Sequence, residues 1–239
     1  MTVRAGLVAL AVILIVVSGG SALAQSGDPV LNGFQAWQRG DYTTAHDLWG
    51  PEARAGNVDA AYFLGTLYAT GRGVSQDNAE AARWIRMAAE QGHVEAQRKL
   101  GQLYHMGRGV VQDDAEATRW MQRAAEAGHP EAAGHLGMQF YRGRGVARDL
   151  DAARRWFRIA ARRGVAEGMH NLGVVYGNGE GVPPDLARSH MWFSLATLSD
   201  YDGAADAAAA LMQRMTPEQI ALATEMARRC RASDYDDCD

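Results

Sequence analysis

"YATGRGVSQD", residues 68–77, decides the fold. A Gly-x-Gly behind an apolar run has two opposed readings: a loop that cradles phosphate, or a corner between two helices. A nucleotide fingerprint needs Gly-x-Gly-x-x-Gly opening a helix after a strand, or a Walker pattern ending in Lys-Ser/Thr. Here the glycines follow the helical pattern Leu64, Leu67, Tyr68, no third glycine follows in phase, and the chain shows no strand–helix alternation. The stretch is a corner.

The corner recurs. Gly71-Arg72-Gly73-Val74 is followed by Gly107-Arg108-Gly109-Val110, Gly143-Arg144-Gly145-Val146 and Gly179-Glu180-Gly181-Val182, each step being 36 residues. Three residues past each Val stands Asp77, Asp113, Asp149 or Asp185; seven further on stands Trp84, Trp120, Trp156 or Trp192. Upstream, Leu64-Gly65, Leu100-Gly101, Leu136-Gly137 and Leu172-Gly173 keep the same phase, as do Tyr68, Tyr104, Phe140 and Tyr176. A period of this length marks a repeat array, in which each unit buries its apolar face against the next.

Each unit reads as two helices. Leu64, Leu67 and Tyr68 fall at i, i+3, i+4, one apolar face. A glycine inside a helix costs about 1 kcal/mol against Ala, so the recurring Gly65 implies another helix crossing at close range. The first corner glycine ends the helix in the left-handed conformation. Val74 tucks under the turn, and Asp77 caps the next helix through its side-chain oxygen. In that helix Ala81, Trp84 and Ala88 form the buried stripe, and Gly92, Gly128 and Gly164 close it. Pro130 stands at a helix start, where a missing N–H is harmless.

The ends depart from the pattern. Residues 1–24 carry Arg4, an apolar run over 5–17 and Ala22-Leu23-Ala24, the marks of a secretory signal peptide. The mature chain is then expected to start at Gln25, to be periplasmic or secreted, and not to be membrane-embedded after cleavage. Residues 25–59 form a partial repeat or cap, around Phe34, Trp37, Tyr42 and Leu48. Four units follow over 60–203 (60–95, 96–131, 132–167, 168–203). Residues 204–232 form capping helices, the last opened by the capping box Thr216-Pro217-Glu218-Gln219, and 233–239 an acidic tail.

Composition narrows the function. The chain holds 24 basic and 28 acidic residues, a net charge of −4 with His neutral. Nucleic-acid binding needs clustered positive charge, so no nucleic-acid partner is expected. Cys230 and Cys238 are the two cysteines; in an oxidising compartment such a pair is most simply a disulfide. A metal site would need further ligands such as a nearby His. No H-E-x-x-H, Cys/His cluster or G-x-S-x-G elbow is present, so no cofactor, metal or catalytic residue is assigned. His93 and His129 occupy equivalent helix starts, where a hydrogen bond to the helix end is their natural role. The turn arginines Arg72, Arg108 and Arg144 read as solvated groups paired with nearby Asp.

The 36-residue pattern of Leu-Gly, Tyr, Gly-x-Gly-Val, Asp, Ala, Trp and Ala-Ala-x-x-Gly resembles the Sel-1-like repeat, a relative of the tetratricopeptide repeat. The resemblance covers residues 32–232 and implies an all-α fold, a right-handed superhelical solenoid that serves protein–protein interaction. Exported bacterial members are similar to adaptors and regulators in envelope signalling, exopolysaccharide control and host contact. In such arrays the first helix of each unit lines a concave groove.

What varies on that helix is the functional clue. One row reads Tyr62, Arg98, Gly134, His170; a second Thr66, Gln102, Met138, Val174; a third Ala69, His105, Tyr141, Gly177. Tyr, Arg and Met are enriched in interface cores, and Tyr62, Arg98, His105, Tyr141 and His170 are the candidate contacts. An acidic row, Asp59, Glu95, Glu131 and Glu167, suits the positive ends of helix dipoles. These observations favour a non-enzymatic adaptor that takes a peptide segment or an extracytoplasmic domain. A polysaccharide-binding module, with Tyr62 and Tyr141 stacking on sugars, is the alternative. A β-lactam-hydrolysing enzyme, suggested by cysteine-rich relatives, is weakened by the lack of a Cys pair in each repeat.

Overall fold

The computed structural model describes residues 27–238; the expected signal segment 1–24 lies outside the described residues. Among these are twelve helices and no strand. A leading hairpin, α1 (Pro29–Gln38) and α2 (Tyr42–Arg54), is followed by four more: α3 (Val58–Thr70) and α4 (Asn78–Glu90), α5 (Val94–Met106) and α6 (Asp114–Glu126), α7 (Pro130–Arg142) and α8 (Leu150–Arg162), α9 (Ala166–Asn178) and α10 (Leu186–Leu198). Two further helices, α11 (Ala204–Met212) and α12 (Pro217–Ala232), finish the stack. Each helix from α1 to α11 packs chiefly on its neighbours in sequence, and α12 returns onto α10.

The corner glycines act as expected and do one thing more. Gly71 closes α3 at φ +66°, a left-handed conformation that Gly accepts without a Cβ clash. The second glycine docks the corner onto the preceding unit: a Cβ on Gly109 would stand 1.8 Å from the carbonyl oxygen of Asn78 at the start of α4. The close crossing implied by the helical glycine lies within the hairpin. A Cβ on Gly65 would meet Ile85 Cγ1 at 2.7 Å and the Ala81 carbonyl oxygen at 3.1 Å.

Asp77 Oδ1 accepts the N–H groups of Ala79 and Glu80 at 2.9 and 3.0 Å. Asp113, Asp149 and Asp185 cap α6, α8 and α10 in the same way. Leu64, Leu100, Leu136 and Leu172 are buried, as are Trp84, Trp120 and Trp192. Trp156 departs from its column and is only half-buried. In α4 the indole N–H of Trp84 donates to Glu80 at 3.1 Å; at the corresponding place in α8 stands Ala152, which offers no acceptor.

At the C-terminal end the closing glycine is replaced by Asp200, which takes the left-handed conformation itself at φ +53°. Thr216 and Gln219 complete the capping box, each side chain accepting the other's backbone N–H. Cys230 and Cys238 are joined by a disulfide, and both are buried with Met169 and Leu172 in the terminal core. Arg229 Nε lies 3.2 Å from Asp237, so the acidic tail is held back on α12.

Candidate functional site

The first helices α3, α5, α7 and α9 carry the variable rows. The row of Tyr62, Arg98, Gly134 and His170 serves the junctions between units. Tyr62 stacks on His93 with ring centroids 4.5 Å apart and planes 21° from parallel. His170 packs between Phe193 and Tyr201, at 5.2 and 4.9 Å. Arg98 donates through Nε to Glu95 at 3.0 Å and through Nη2 to the other carboxylate oxygen. Glu95 in turn lies 2.7 Å from His129 Nε2. His93, His129, Val165 and Tyr201 occupy the same repeat position at successive steps of 36 residues, so the row lies at the entry to the next unit.

The electrostatics of this seam follow from burial. Burial opposes ionisation of Glu95, but the hydrogen bonds and charges of Arg98 and His129 outweigh it and hold the carboxyl down at about 2. Burial pushes His93 below the usual histidine range, against the pull of Asp59. Its Nδ1 accepts the N–H of Ala96 at 3.1 Å, capping α5, which leaves Nε2 to face Asp59 at 3.6 Å. His129 Nδ1 caps α7 through Ala132 at 3.4 Å. The acidic row therefore does more than complement helix dipoles: Glu95 ties one unit to the next.

A cavity of about 360 Å³ opens on the same face between α5 and α7. Met106, Met121 and Met138 supply its apolar lining, and His105, Gln139 and Arg144 are among its polar groups. His105 Nδ1 lies 2.7 Å from Asp114 Oδ1, and its Nε2 lies 3.4 Å from Arg144 Nη1. Arg144 can only donate, so Nε2 is the acceptor of that contact and Nδ1 is the nitrogen that faces Asp114. The turn arginines thus differ from the expectation of pairing with Asp: Arg144 leans on His105, and Arg72 lies over the Tyr42 ring at 5.3 Å. Arg142, on the cavity wall, makes no ion pair among the described residues.

Gln139 is the residue that the variable rows do not reveal. It occupies the column of Leu67, Leu103 and Val175, core positions in the other three units. It is 9% exposed, and its Oε1 has no hydrogen-bond partner. An unsatisfied buried acceptor costs about 1–3 kcal/mol, so this position is poorly explained by stability. The signal was present in the sequence, as one amide in a column of aliphatic side chains.

Of the five candidate contacts, His105 alone lines this cavity, together with Gln102 and Met138 from the second row and Glu167 from the acidic row. Tyr62, Arg98 and His170 stand at unit junctions. Tyr141 packs toward Phe157 at 6.4 Å; burial first, and then Glu180, pushes its hydroxyl above the usual range. Among the described residues one serine–histidine pair is hydrogen-bonded: Ser194 Oγ lies 3.3 Å from His190 Nδ1 on α10. The other ring nitrogen of His190 is buried without a partner, so no third group orients the ring as a catalytic base requires. Among the described residues no group of three or more His, Cys, Asp or Glu side chains is placed to hold a metal ion.

A stack of near-identical helical hairpins that offers a continuous face defines a class, the α-solenoid repeat proteins. The chain belongs to the Sel1 repeat family, whose model matches at residues 58–93, 94–129, 130–165 and 166–201. These units open where α3, α5, α7 and α9 begin. Proteins of this family generally mediate protein–protein interaction and are typically non-catalytic scaffolds.

Two solved structures are similar over most of the chain. One is a Sel1 repeat protein from Oxalobacter formigenes, 29% identical with a TM-score of 0.71, the match covering 75% of this chain and 71% of that one. The other is a protective antigen of uropathogenic Escherichia coli strains that displays an SLR fold, 35% identical with a TM-score of 0.69. That match covers 72% of this chain but only 38% of the antigen. No curated protein sequence matches.

Proposed function

We propose that this protein is a non-enzymatic adaptor of the periplasm or the secreted fraction, which binds a peptide segment or an extracytoplasmic protein domain on the face of its first helices. The observation that carries this reading is Gln139, a buried amide in an otherwise aliphatic column, its acceptor free beside the methionine-lined cavity. Rotation of the Gln139 amide toward the cavity would let Oε1 accept a backbone N–H of a partner. An apolar side chain would enter among Met106, Met121 and Met138, whose unbranched thioethers adapt to varied shapes. His105 contacts the partner directly in this arrangement. Tyr62, Arg98 and His170 fix the angle between units, and so hold the site rigid before binding. Tyr141 lies further along the same row.

The exported location is supported by the disulfide, since such bonds persist in oxidising compartments. No helix among the described residues is long and apolar enough to cross a membrane. The polysaccharide alternative loses much of its platform, because one face of Tyr62 is taken by His93. The test is photo-crosslinking in the native envelope, with the reactive residue placed at position 105 or at position 228 on α12. A partner trapped from 105 and not from 228, and released when Gln139 is replaced by Leu, supports the reading. Equal trapping from both sites sinks it, as does nitrocefin turnover by the pure protein.

A further inference from the structure

The second helices of the four units place residues 80, 116, 152 and 188 in one column and residues 83, 119, 155 and 191 in the next. In the first two units these columns neutralise each other. Arg83 lies 2.7 Å from Glu80, and Arg119 lies 2.9 Å from Glu116. In the third unit the arginine remains as Arg155, but the acid has become Ala152. In the fourth the acidic column carries Arg188. Helix α8 adds Arg154 and Arg158, and all four arginines line one cavity of about 460 Å³ beside the buried Tyr176 and the 182–185 turn.

The partners inside this cavity do not balance its charge. Arg154 is paired with Asp151 at 2.9 Å, and Arg158 donates to the Tyr176 hydroxyl at 3.2 Å. Arg188 lies over the Tyr176 ring, and its Nε is buried with no hydrogen-bond partner, 3.8 Å from Asp185. Arg155 makes no ion pair among the described residues. Four positive side chains and one acid, Asp185, therefore share a single concavity in a chain whose net charge is −4. Like charges this close repel, and the fold does not require them, since the first two units stack with the acid in place.

We propose that this cavity binds a small molecule carrying two or more oxyanion groups, phosphate or carboxylate. The planar forks of Arg match the two oxygens of either group, and a single negative charge would leave the site still strongly positive. The volume falls within the range of small-ligand sites. The site lies on α8, α10 and the adjoining turn, away from the methionine-lined cavity of α5 and α7, so it stands independently of the adaptor reading.

Calorimetric titration of the purified protein at constant ionic strength, with pyrophosphate and with citrate, tests the proposal. Saturable binding of one to one stoichiometry is expected for at least one of them, and none for chloride. Preference for pyrophosphate identifies a phosphorylated ligand, and preference for citrate a polycarboxylate. Arg155→Gln removes an exposed arginine and is expected to weaken binding about tenfold. Ala152→Glu restores the acid of the first two units without removing any arginine, and is expected to do the same. Arg228→Gln on α12 is expected to change nothing. Absence of saturable binding by both anions overturns the proposal, as does unchanged affinity in Arg155→Gln.

Discussion

Units two and three of the stack, α5–α6 and α7–α8, share a backbone plan and differ in what they leave unsatisfied. In unit two Leu103 is a buried apolar core residue and Glu116 pairs with Arg119. In unit three the corresponding places hold Gln139, with a free buried acceptor, and Ala152, beside the unpaired Arg155. Trp156 follows the same trend and is the half-buried member of its column. Because each unit rests mainly on its neighbours, a unit can depart from the ideal locally while the array absorbs the loss. The departures of unit three fall on two separate surfaces, and each leaves a group that a ligand would satisfy.

The comparison is tested most severely in the tryptophan column. Trp192→Ala, which empties a fully buried site, is expected to cost about 3–5 kcal/mol, read by urea denaturation. Trp156→Ala is expected to cost about half as much; an equal loss would mean that unit three is packed like the others. Gln139→Leu, which restores the column of Leu67 and Leu103, is expected to raise stability by about 1 kcal/mol while weakening capture of the partner. A stabilised variant with undiminished capture would leave the cavity without a role.

Acid provides the next test. Glu95 has its carboxyl held at about 2, below the ordinary 4.5, so its contribution to folding is complete above pH 4.5 and is lost as pH falls toward 2. Partial exposure reduces that contribution to about 1–2 kcal/mol, and Glu95→Gln should flatten the acid limb of a stability–pH curve. His93, His170 and His190 have their values lowered by burial. Their neutral forms are favoured in the fold, so protonation begins to weaken it as pH falls below 6.5, before Glu95 contributes. The smallest effect is reserved for Ala152→Glu, where a new i,i+3 pair with Arg155 is expected to add about 0.3–0.5 kcal/mol in thermal unfolding.

Most of the scaffold was legible from spacing alone. The corner glycines, the capping Asp residues, the Leu-Gly pairs and the Thr216 capping box each have a local physical cause that repeats in phase. The histidine caps were legible too, since His93 and His129 stand where helix ends need acceptors. The site was less so. Tyr62, Arg98 and His170 lie on the variable face, yet three-dimensional packing turns them toward the next unit. Gln139 was visible only as an amide in an aliphatic column, and the basic cavity only as an acid missing from a pair.

The sequence by itself determined the periodic architecture: helix starts, corners, crossings and the closed C-terminal end, because each is set by residues within one turn or one hairpin. It also held the cysteines that close the tail. Tertiary structure alone decided which side chains meet across units, since a contact such as Tyr62 with His93, or His170 with Tyr201, depends on the rise and rotation between hairpins. That geometry emerges from packing over many residues, such as the seating of Gly109 on the start of α4, and no single spacing encodes it. It made Glu95 a link between units and placed the two cavities on separate surfaces.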